Sequence, residues 1–248
     1  MYQAGFIRMR TSTVTTEKDS AGPYETEIFD TSEPKSIIVC SHGNGVRRWD
    51  GEHFFHQVAE YYPDSTFLLV DQNQVIDDGC KLNDLAIMTS RLQSLIIIAH
   101  KKHPGLPIIV LGHSMGCGVV TKLDLSDVAK VVFVAPAAGN ATQKLIERYG
   151  PEVAEGLLTK SSDGLTKLVS KEYFDSVRGI VWEDEYKRLL KSYDKIYVFE
   201  SGDEEIVSDE RLTHRDLPFA GYKVIPGAKH NYTGDALQRL FVELDTLL

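Results

Sequence analysis

Gly112, Ser114 and Gly116 form the pattern in this chain that most strongly suggests chemistry. They follow the apolar run Ile108–Leu111, which is typical of a buried strand, and the residues after them permit a helix. A strand, Gly-x-Ser-x-Gly and a helix in succession are typical of a nucleophile elbow, a tight turn that presents its serine. The glycines leave room for neighbouring backbone. The helix N-terminus favours negative charge near the serine oxygen.

A histidine is the expected base, because a serine hydroxyl is a poor nucleophile until its proton is removed. With this elbow the usual chain order is serine, acid, histidine, so His214 and His230 are the candidates after Ser114. His230 follows a strand and a glycine-containing loop and precedes the last helix, and we predict that it is the base. His214 lies in a polar stretch, and we interpret it as a solvated surface residue.

Three adjacent carboxylates, Asp203, Glu204 and Glu205, follow the predicted strand Ile196–Phe199. A carboxylate is expected beside the histidine, where it selects the tautomer and stabilises the imidazolium. Spacing does not separate Asp203 from Glu204 for this role. The other carboxylates are predicted to be solvated loop charges.

Backbone N–H groups must receive the negative charge that develops during acyl transfer. Met115, directly after the serine, is expected to supply one donor. Asn44, in the loop that follows the predicted strand Ile37–Cys40, is expected to supply the other. The alternative for residues 42–45 is a glycine-rich turn that only begins a helix.

The elements that must position these groups alternate between strands and helices. This alternation predicts an α/β fold with a mainly parallel central sheet flanked by helices. In such a sheet ligands bind at the carboxyl ends of the strands, where residues 42–45, Ser114, Asp203–Glu205 and His230 all lie. The predicted strands of this sheet are Ile37–Cys40, Phe67–Val70, Ile108–Leu111, Val131–Val134, Ile196–Phe199 and Tyr222–Ile225.

Residues 139–192 interrupt this alternation with several amphipathic pieces and no strand-like run. We interpret them as a small, mostly helical cap inserted into a core formed by residues 1–138 and 193–248. The cap aromatics either line a pocket or pack the cap onto the core; they are Tyr149, Tyr173, Phe174, Trp182 and Tyr186. At the other end of the chain, Gly5–Ser12 and Tyr24–Asp30 are predicted to form an antiparallel hairpin, and Thr233 is predicted to cap the last helix.

The composition of the chain argues against several classes of protein. The chain has 248 residues, 42% of them hydrophobic, and a formal net charge of −9, which argues against nucleic acid as a main partner. Its three cysteines lack metal-like spacing and indicate reduced thiols and a cytoplasmic location. We find no signal peptide and no apolar run long enough to span a membrane. His53 and His56 have no third ligand nearby, so we expect no metal, and the chemistry needs no cofactor.

Together these motifs resemble the α/β-hydrolase superfamily, over nearly the whole chain. The chain looks most like small esterases and monoacylglycerol lipase-like serine hydrolases with a helical cap. The resemblance implies the fold and a Ser–His–acid triad. In that branch the acid loop commonly reads Gly-x-x-Asp-x-x-Val; alignment on Val207 without a gap selects Glu204, and a one-residue gap selects Asp203. Asp71–Gln72–Asn73–Gln74 departs from the family's glycine-rich run.

The sequence therefore predicts hydrolysis of a carboxylic ester through an acyl-enzyme on Ser114. A small-molecule ester is the expected partner, and the charged cap favours water-soluble substrates. The alternatives are a peptidase or amidase with the same triad, and a non-catalytic ligand-binding protein on this fold.

Overall fold

A computed structural model describes residues 10–48, 50–76, 79–160, 166–207 and 214–248, without the side chains of residues 50–52. The strands are β1 (Thr13–Asp19), β2 (Gly22–Phe29), β3 (Ser36–Ser41), β4 (Ser65–Val70), β5 (Gln74–Ile76), β6 (Gly79–Lys81), β7 (Ile108–His113), β8 (Lys130–Val134), β9 (Leu157–Lys160), β10 (Thr166–Val169), β11 (Ile196–Ser201) and β12 (Gly221–Ile225). The helices are α1 (Asp50–Tyr61), α2 (Leu85–Lys102), α3 (Met115–Val120), α4 (Ala141–Tyr149), α5 (Lys171–Ser176), α6 (Trp182–Leu190) and α7 (Gly234–Leu244), with a 3₁₀ helix at Pro151–Glu155.

The main sheet has eight strands in the order β1-β2-β4-β3-β7-β8-β11-β12. The pairings β1–β2 and β2–β4 are antiparallel and the remaining ones are parallel. The predicted α/β fold with a mainly parallel sheet is confirmed. Since the parallel strands share one direction, β3, β7 and β11 deliver Ser41, His113 and Ser201 to the same edge.

Both faces of the sheet are covered, which explains why its central strands are continuous apolar runs. Every residue of β3 is buried. Ile37 and Val39 pack with α2 on one face, and Ile38 and Cys40 pack with α1 and α7 on the other. This alternation follows the two-residue period of a strand.

Among the described residues the longest helix is α2, whose N-cap residue Asp84 accepts a hydrogen bond from Ile87 N at 2.8 Å. Thr233 occupies the N-cap position of α7, as predicted, but its side chain makes no capping hydrogen bond. None of the helices in the described ranges has both the length and the apolar character needed to cross a bilayer.

A second sheet, in the order β5-β6-β10-β9, was not predicted. Its strands β9 and β10 lie inside residues 139–192, so the expectation of no strand in that segment is wrong. The hairpin β9–β10 joins the hairpin β5–β6, which comes from the segment after β4, through the parallel pair β6–β10. The division into a core and a cap at residues 139 and 192 stays a prediction.

The N-terminal hairpin is formed by β1 and β2 rather than by the predicted segments. Residues 5–9 of the predicted first strand lie outside the described residues, and Arg10–Ser12 are not in a strand. The turn is at Ser20–Ala21, between Asp19 and Gly22. Predicted and observed second strands overlap over most of β2.

Candidate active site

Ser114 lies in the tight turn between β7 and α3, with φ 55° and ψ −126°. A positive φ is costly for any residue with a side chain and is maintained only where the surroundings impose it. The flanking glycines explain how the turn is possible. A Cβ on Gly116 would lie 2.1 Å from the carbonyl oxygen of Ser41 on β3, and one on Gly112 would lie 3.1 Å from Cα of Cys117 on α3.

His230 lies in the loop between β12 and α7 and is 3% exposed. Its Nε2 is 2.9 Å from Ser114 Oγ, so the serine hydroxyl can donate its hydrogen to this nitrogen. The loop is held by His113, whose Nε2 lies 2.9 Å from the carbonyl oxygen of His230. The structure thus brings together two residues that are 116 positions apart in sequence.

Glu204 lies on the other side of the imidazole. Both of its carboxylate oxygens are 3.0 Å from His230 Nδ1, and Oε1 also accepts hydrogen bonds from the backbone N–H groups of Ile206 and Val207. Burial by itself raises the pKa of Glu204, but the hydrogen bond and charge of His230 and the two N–H groups outweigh it and lower the pKa to about 2. An ionised carboxylate here keeps the hydrogen on Nδ1 and leaves Nε2 free to accept.

The neighbouring carboxylates take other positions. Asp203 is exposed; its backbone N–H donates to Ala228 O at 2.8 Å, which holds the acid loop against the histidine loop. Glu205 is also exposed, and its Oε2 accepts the backbone N–H of His230 at 3.2 Å. Of the two acids left open by the spacing, only Glu204 makes a described contact with the imidazole, which agrees with the gap-free alignment on Val207.

Asn44 and Met115 both line the pocket that contains Ser114. In the described part of the chain, neither backbone N–H donates a hydrogen bond to another protein group. Asn44 is held from the second sheet by Lys167, whose Nζ lies 3.5 Å from Asn44 O and which is 3% exposed. The next residue, Gly45, has φ +67°, and a Cβ there would lie 2.1 Å from Lys167 Cε.

The pocket has a volume of about 470 Å³, within the usual range for small-molecule sites. Most of the residues that line it are apolar, and four are charged. The apolar residues are Ala137, Ala138, Ala141, Leu145, Tyr173, Trp182, Ile206 and Val207; the charged ones are Lys144, Glu147, Arg148 and Glu205.

Comparisons with known proteins agree on the architecture. A monoglyceride lipase from Saccharomyces cerevisiae, solved as a soluble variant, superposes with a TM-score of 0.74 at 14% identity, over 98% of this chain and 96% of that chain. An alpha/beta hydrolase from Penicillium sp. sh18 gives a TM-score of 0.68 at 14% identity, over 95% and 97%. The chain has the α/β-hydrolase fold. A carboxyl esterase from Bacillus coagulans also gives a TM-score of 0.68 at 14% identity, over 95% of this chain and 96% of that one.

Sequence similarity is more limited. A monoacylglycerol lipase from Mycolicibacterium smegmatis is 34% identical over 96 residues, a match that covers 36% of this chain and 32% of the lipase. This chain therefore matches about a third of the length of that curated relative. No protein-family model matches the chain.

Within this fold, the aromatic residues of 139–192 serve both predicted roles. Tyr173 and Trp182 line the pocket. Phe174 and Tyr186 are buried in the core, and Tyr186 packs on Phe133 of β8 with ring centroids 5.5 Å apart. The segment is thus attached to the sheet by some aromatic side chains while others bound the space above Ser114.

The interpretation of His214 as a solvated surface residue is wrong, because its side chain is fully buried. Its Nδ1 is 2.5 Å from Glu200 Oε1 on β11, and its Nε2 is 3.5 Å from Glu183 Oε1 on α6. Tyr222 donates to the other oxygen of Glu200. Burial lowers the pKa of His214, but the hydrogen bonds and charges of the two glutamates outweigh this and raise it. No local sequence signal marks this site, since both partners are distant in the chain.

Proposed function

We propose that this α/β-hydrolase cleaves carboxylic esters by nucleophilic catalysis, with Ser114 as the nucleophile, His230 as the base and Glu204 as the triad acid. The observation that carries the proposal is the continuous hydrogen-bonded series from Ser114 Oγ through His230 to Glu204 beside an apolar pocket. The similarity to a curated monoacylglycerol lipase and to solved lipase and esterase structures supports ester rather than another substrate class.

The first step forms the acyl-enzyme. Ser114 Oγ attacks the acyl carbon while His230 Nε2 takes its proton, and Glu204 stabilises the resulting imidazolium. The N–H groups of Asn44 and Met115 donate to the oxyanion of the tetrahedral intermediate. His230 then gives its proton to the leaving alcohol.

Hydrolysis of the acyl-enzyme reuses the same groups. His230 takes a proton from water, which attacks the acyl carbon, and a second tetrahedral intermediate forms against the same two N–H groups. Collapse returns the proton to Ser114 and releases the carboxylic acid. None of these steps involves a metal or a cofactor.

The substrates that we propose are small esters with short or medium acyl chains. A pocket of about 470 Å³ with a mostly apolar lining suits the acyl group. The charged side chains in the same lining, among them Lys144, Arg148 and Glu205, suit a substrate that arrives from water. The segment 139–192 supplies part of both surfaces, so we propose that it sets acyl size.

The test is turnover of p-nitrophenyl esters from acetate to palmitate, together with a monoacylglycerol, by wild type and Ser114→Ala. We expect the wild type to turn over esters with acyl chains shorter than palmitate fastest. In Ser114→Ala we expect turnover to fall by several orders of magnitude. Ser94→Ala is the matched control, because Ser94 is an exposed serine of α2 whose hydroxyl donates to Ser90 O one turn earlier in the same helix. Absence of any Ser114-dependent ester turnover would refute the proposal; the matching p-nitroanilides then test an amidase.

A further inference from the structure

Three consecutive polar residues, Asp71, Gln72 and Asn73, follow β4 and are each 1% exposed. They occupy the stretch where the sequence departs from the glycine-rich run of similar hydrolases. Buried polar groups are costly unless they are hydrogen-bonded. Their partners therefore indicate what this stretch does.

Gln72 makes reciprocal hydrogen bonds with His42, the first residue after β3. The backbone N–H of His42 donates to Gln72 Oε1, and the backbone N–H of Gln72 donates to His42 Nε2, both at 2.9 Å. With Nε2 as an acceptor, the hydrogen of this imidazole is on Nδ1, which is 3.0 Å from Gly43 O. The direction in which the chain leaves β3 toward Asn44 is thus set by Gln72.

The same amide is connected to the nucleophile elbow through Ser41. Gln72 Nε2 donates to Ser41 Oγ at 3.1 Å, and Ser41 Oγ donates to Gly116 O at 2.9 Å. Gly116 directly follows Met115, the second proposed oxyanion donor. Gln72, bonded to His42 in the loop that leads to Asn44, is therefore connected through Ser41 to the turn that carries Met115.

The residues beside Gln72 hold the far end of the same loop. Asn73 Nδ2 donates to Val46 O at 3.0 Å, and Arg48 N donates to Asp71 Oδ1 at 2.6 Å. The backbone from residue 42 to residue 48 is thus attached at both ends to the segment after β4.

We propose that Gln72 is a positioning residue for the oxyanion hole. It fixes the N–H of Asn44 relative to the N–H of Met115 through His42 on one side and Ser41 on the other, without contact with the substrate. The proposal rests on the function proposed above. Because the two donors come from different segments, their spacing depends on the groups that connect those segments. Gln72 bonds directly to the segment that leads to Asn44, and it is connected to the elbow through Ser41 Oγ, which donates to Gly116 O.

Gln72→Met tests this, because methionine is similar in length and removes both the acceptor and the donor of the amide. We expect kcat for the best ester to fall about 10- to 100-fold with KM changed less than about 3-fold, since removal of an entire oxyanion donor costs roughly 10²- to 10³-fold. Gln72→Glu keeps an acceptor for His42 N and loses the donor to Ser41. It is expected to be intermediate, and it carries the test if Gln72→Met does not fold.

A second measurement separates positioning from loss of stability. A trifluoromethyl ketone that matches the best acyl chain forms an oxyanion on Ser114, and its Ki should rise in parallel with the fall in kcat/KM. The shape of the pH–rate profile should not change, since the triad is untouched. Ser36→Ala is the matched control: Ser36 and Ser65 share a buried hydrogen bond at the opposite ends of the same two strands, β3 and β4.

The outcomes are distinct. The inference would be overturned if both Gln72 variants had the same kcat and Ki as the wild type. It would also be overturned if Ser36→Ala lost as much kcat as the Gln72 variants. If the wild-type protein itself shows no Ser114-dependent turnover, it is the proposed function that fails. An active wild type with unaffected Gln72 variants refutes only the role of Gln72.

Discussion

Replacement of Glu204 by glutamine is the sharpest test of the proposed triad. The Glu204 side chain is 2% exposed, and its pKa is lowered from 4.5 to about 2. At about 1.4 kcal/mol per pH unit, this corresponds to roughly 3 kcal/mol in favour of the ionised form. Glutamine removes that charge, and its amide can donate to Nδ1, which selects the tautomer with hydrogen on Nε2. We expect kcat to fall roughly 10³- to 10⁴-fold, as when a triad aspartate becomes asparagine.

The two adjacent acids supply the controls. Asp203→Asn should keep kcat within a few-fold, because Asp203 bonds to the histidine loop through its backbone N–H. Glu205→Gln should cause a modest loss, because its carboxylate accepts the backbone N–H of His230 and makes no described contact with the imidazole. Stopped assays with the best p-nitrophenyl ester, at matched folded fractions measured by circular dichroism, give the comparison. Nearly full activity in Glu204→Gln together with a large loss in Asp203→Asn would refute the assignment.

The same structure yields further predictions. The folded-state pKa of Glu204 is lowered, so its contribution to stability is present above pH 4.5 and lost as pH falls toward 2; chemical denaturation at pH 7 and pH 3.5 should show the gap between wild type and Glu204→Gln shrinking. The pKa of His214 is raised, so its contribution is present below about pH 6.5 and lost at higher pH; His214→Gln should destabilise more at pH 6 than at pH 9. Gly45→Ala should lower the free energy of unfolding, measured in urea, by about 1–3 kcal/mol, because alanine disfavours the positive φ and its Cβ would clash with Lys167. An unchanged free energy of unfolding would contradict that packing. Trp182→Ala should cost roughly 3–5 kcal/mol and shift the chain-length optimum to bulkier acyl groups; an unchanged optimum would remove Trp182 from the acyl pocket.

The central strands of the main sheet could be predicted from sequence because they are buried on both faces. The runs Ile37–Cys40 and Ile108–Leu111 predict strands without knowledge of their partners, and in the structure each strand is two residues longer. The second sheet could not be predicted. Its strands are three or four residues long, and β6 and β10 pair across more than 80 residues of chain. No periodicity appears in segments that short.

The residues of the candidate site also divide into those that the sequence predicts and those that it does not. Ser114 and His230 could be predicted because each lies in a local sequence pattern, a strand followed by a turn or loop that contains glycine. The choice between Asp203 and Glu204 depends on which way each side chain leaves a turn whose shape is set by Ala228, Ile206 and Val207. The burial of His214 could not be predicted for a related reason: the two carboxylates that face its ring nitrogens lie 14 and 31 residues away in the chain.

The segment after β4 shows how a departure from a family pattern can be informative. The resemblance at Asp71–Gln74 is poor, which taken alone weakens the analogy with similar esterases. Physically, however, buried polar residues at a sheet edge must find partners, and those of Gln72 are His42 and Ser41, in the strand and loop that lead to Asn44. A glycine-rich run could not make these side-chain bonds. The proposed oxyanion hole in this chain therefore depends on residues that a pattern search counts as mismatches, and kinetic measurements on Gln72 address that dependence directly.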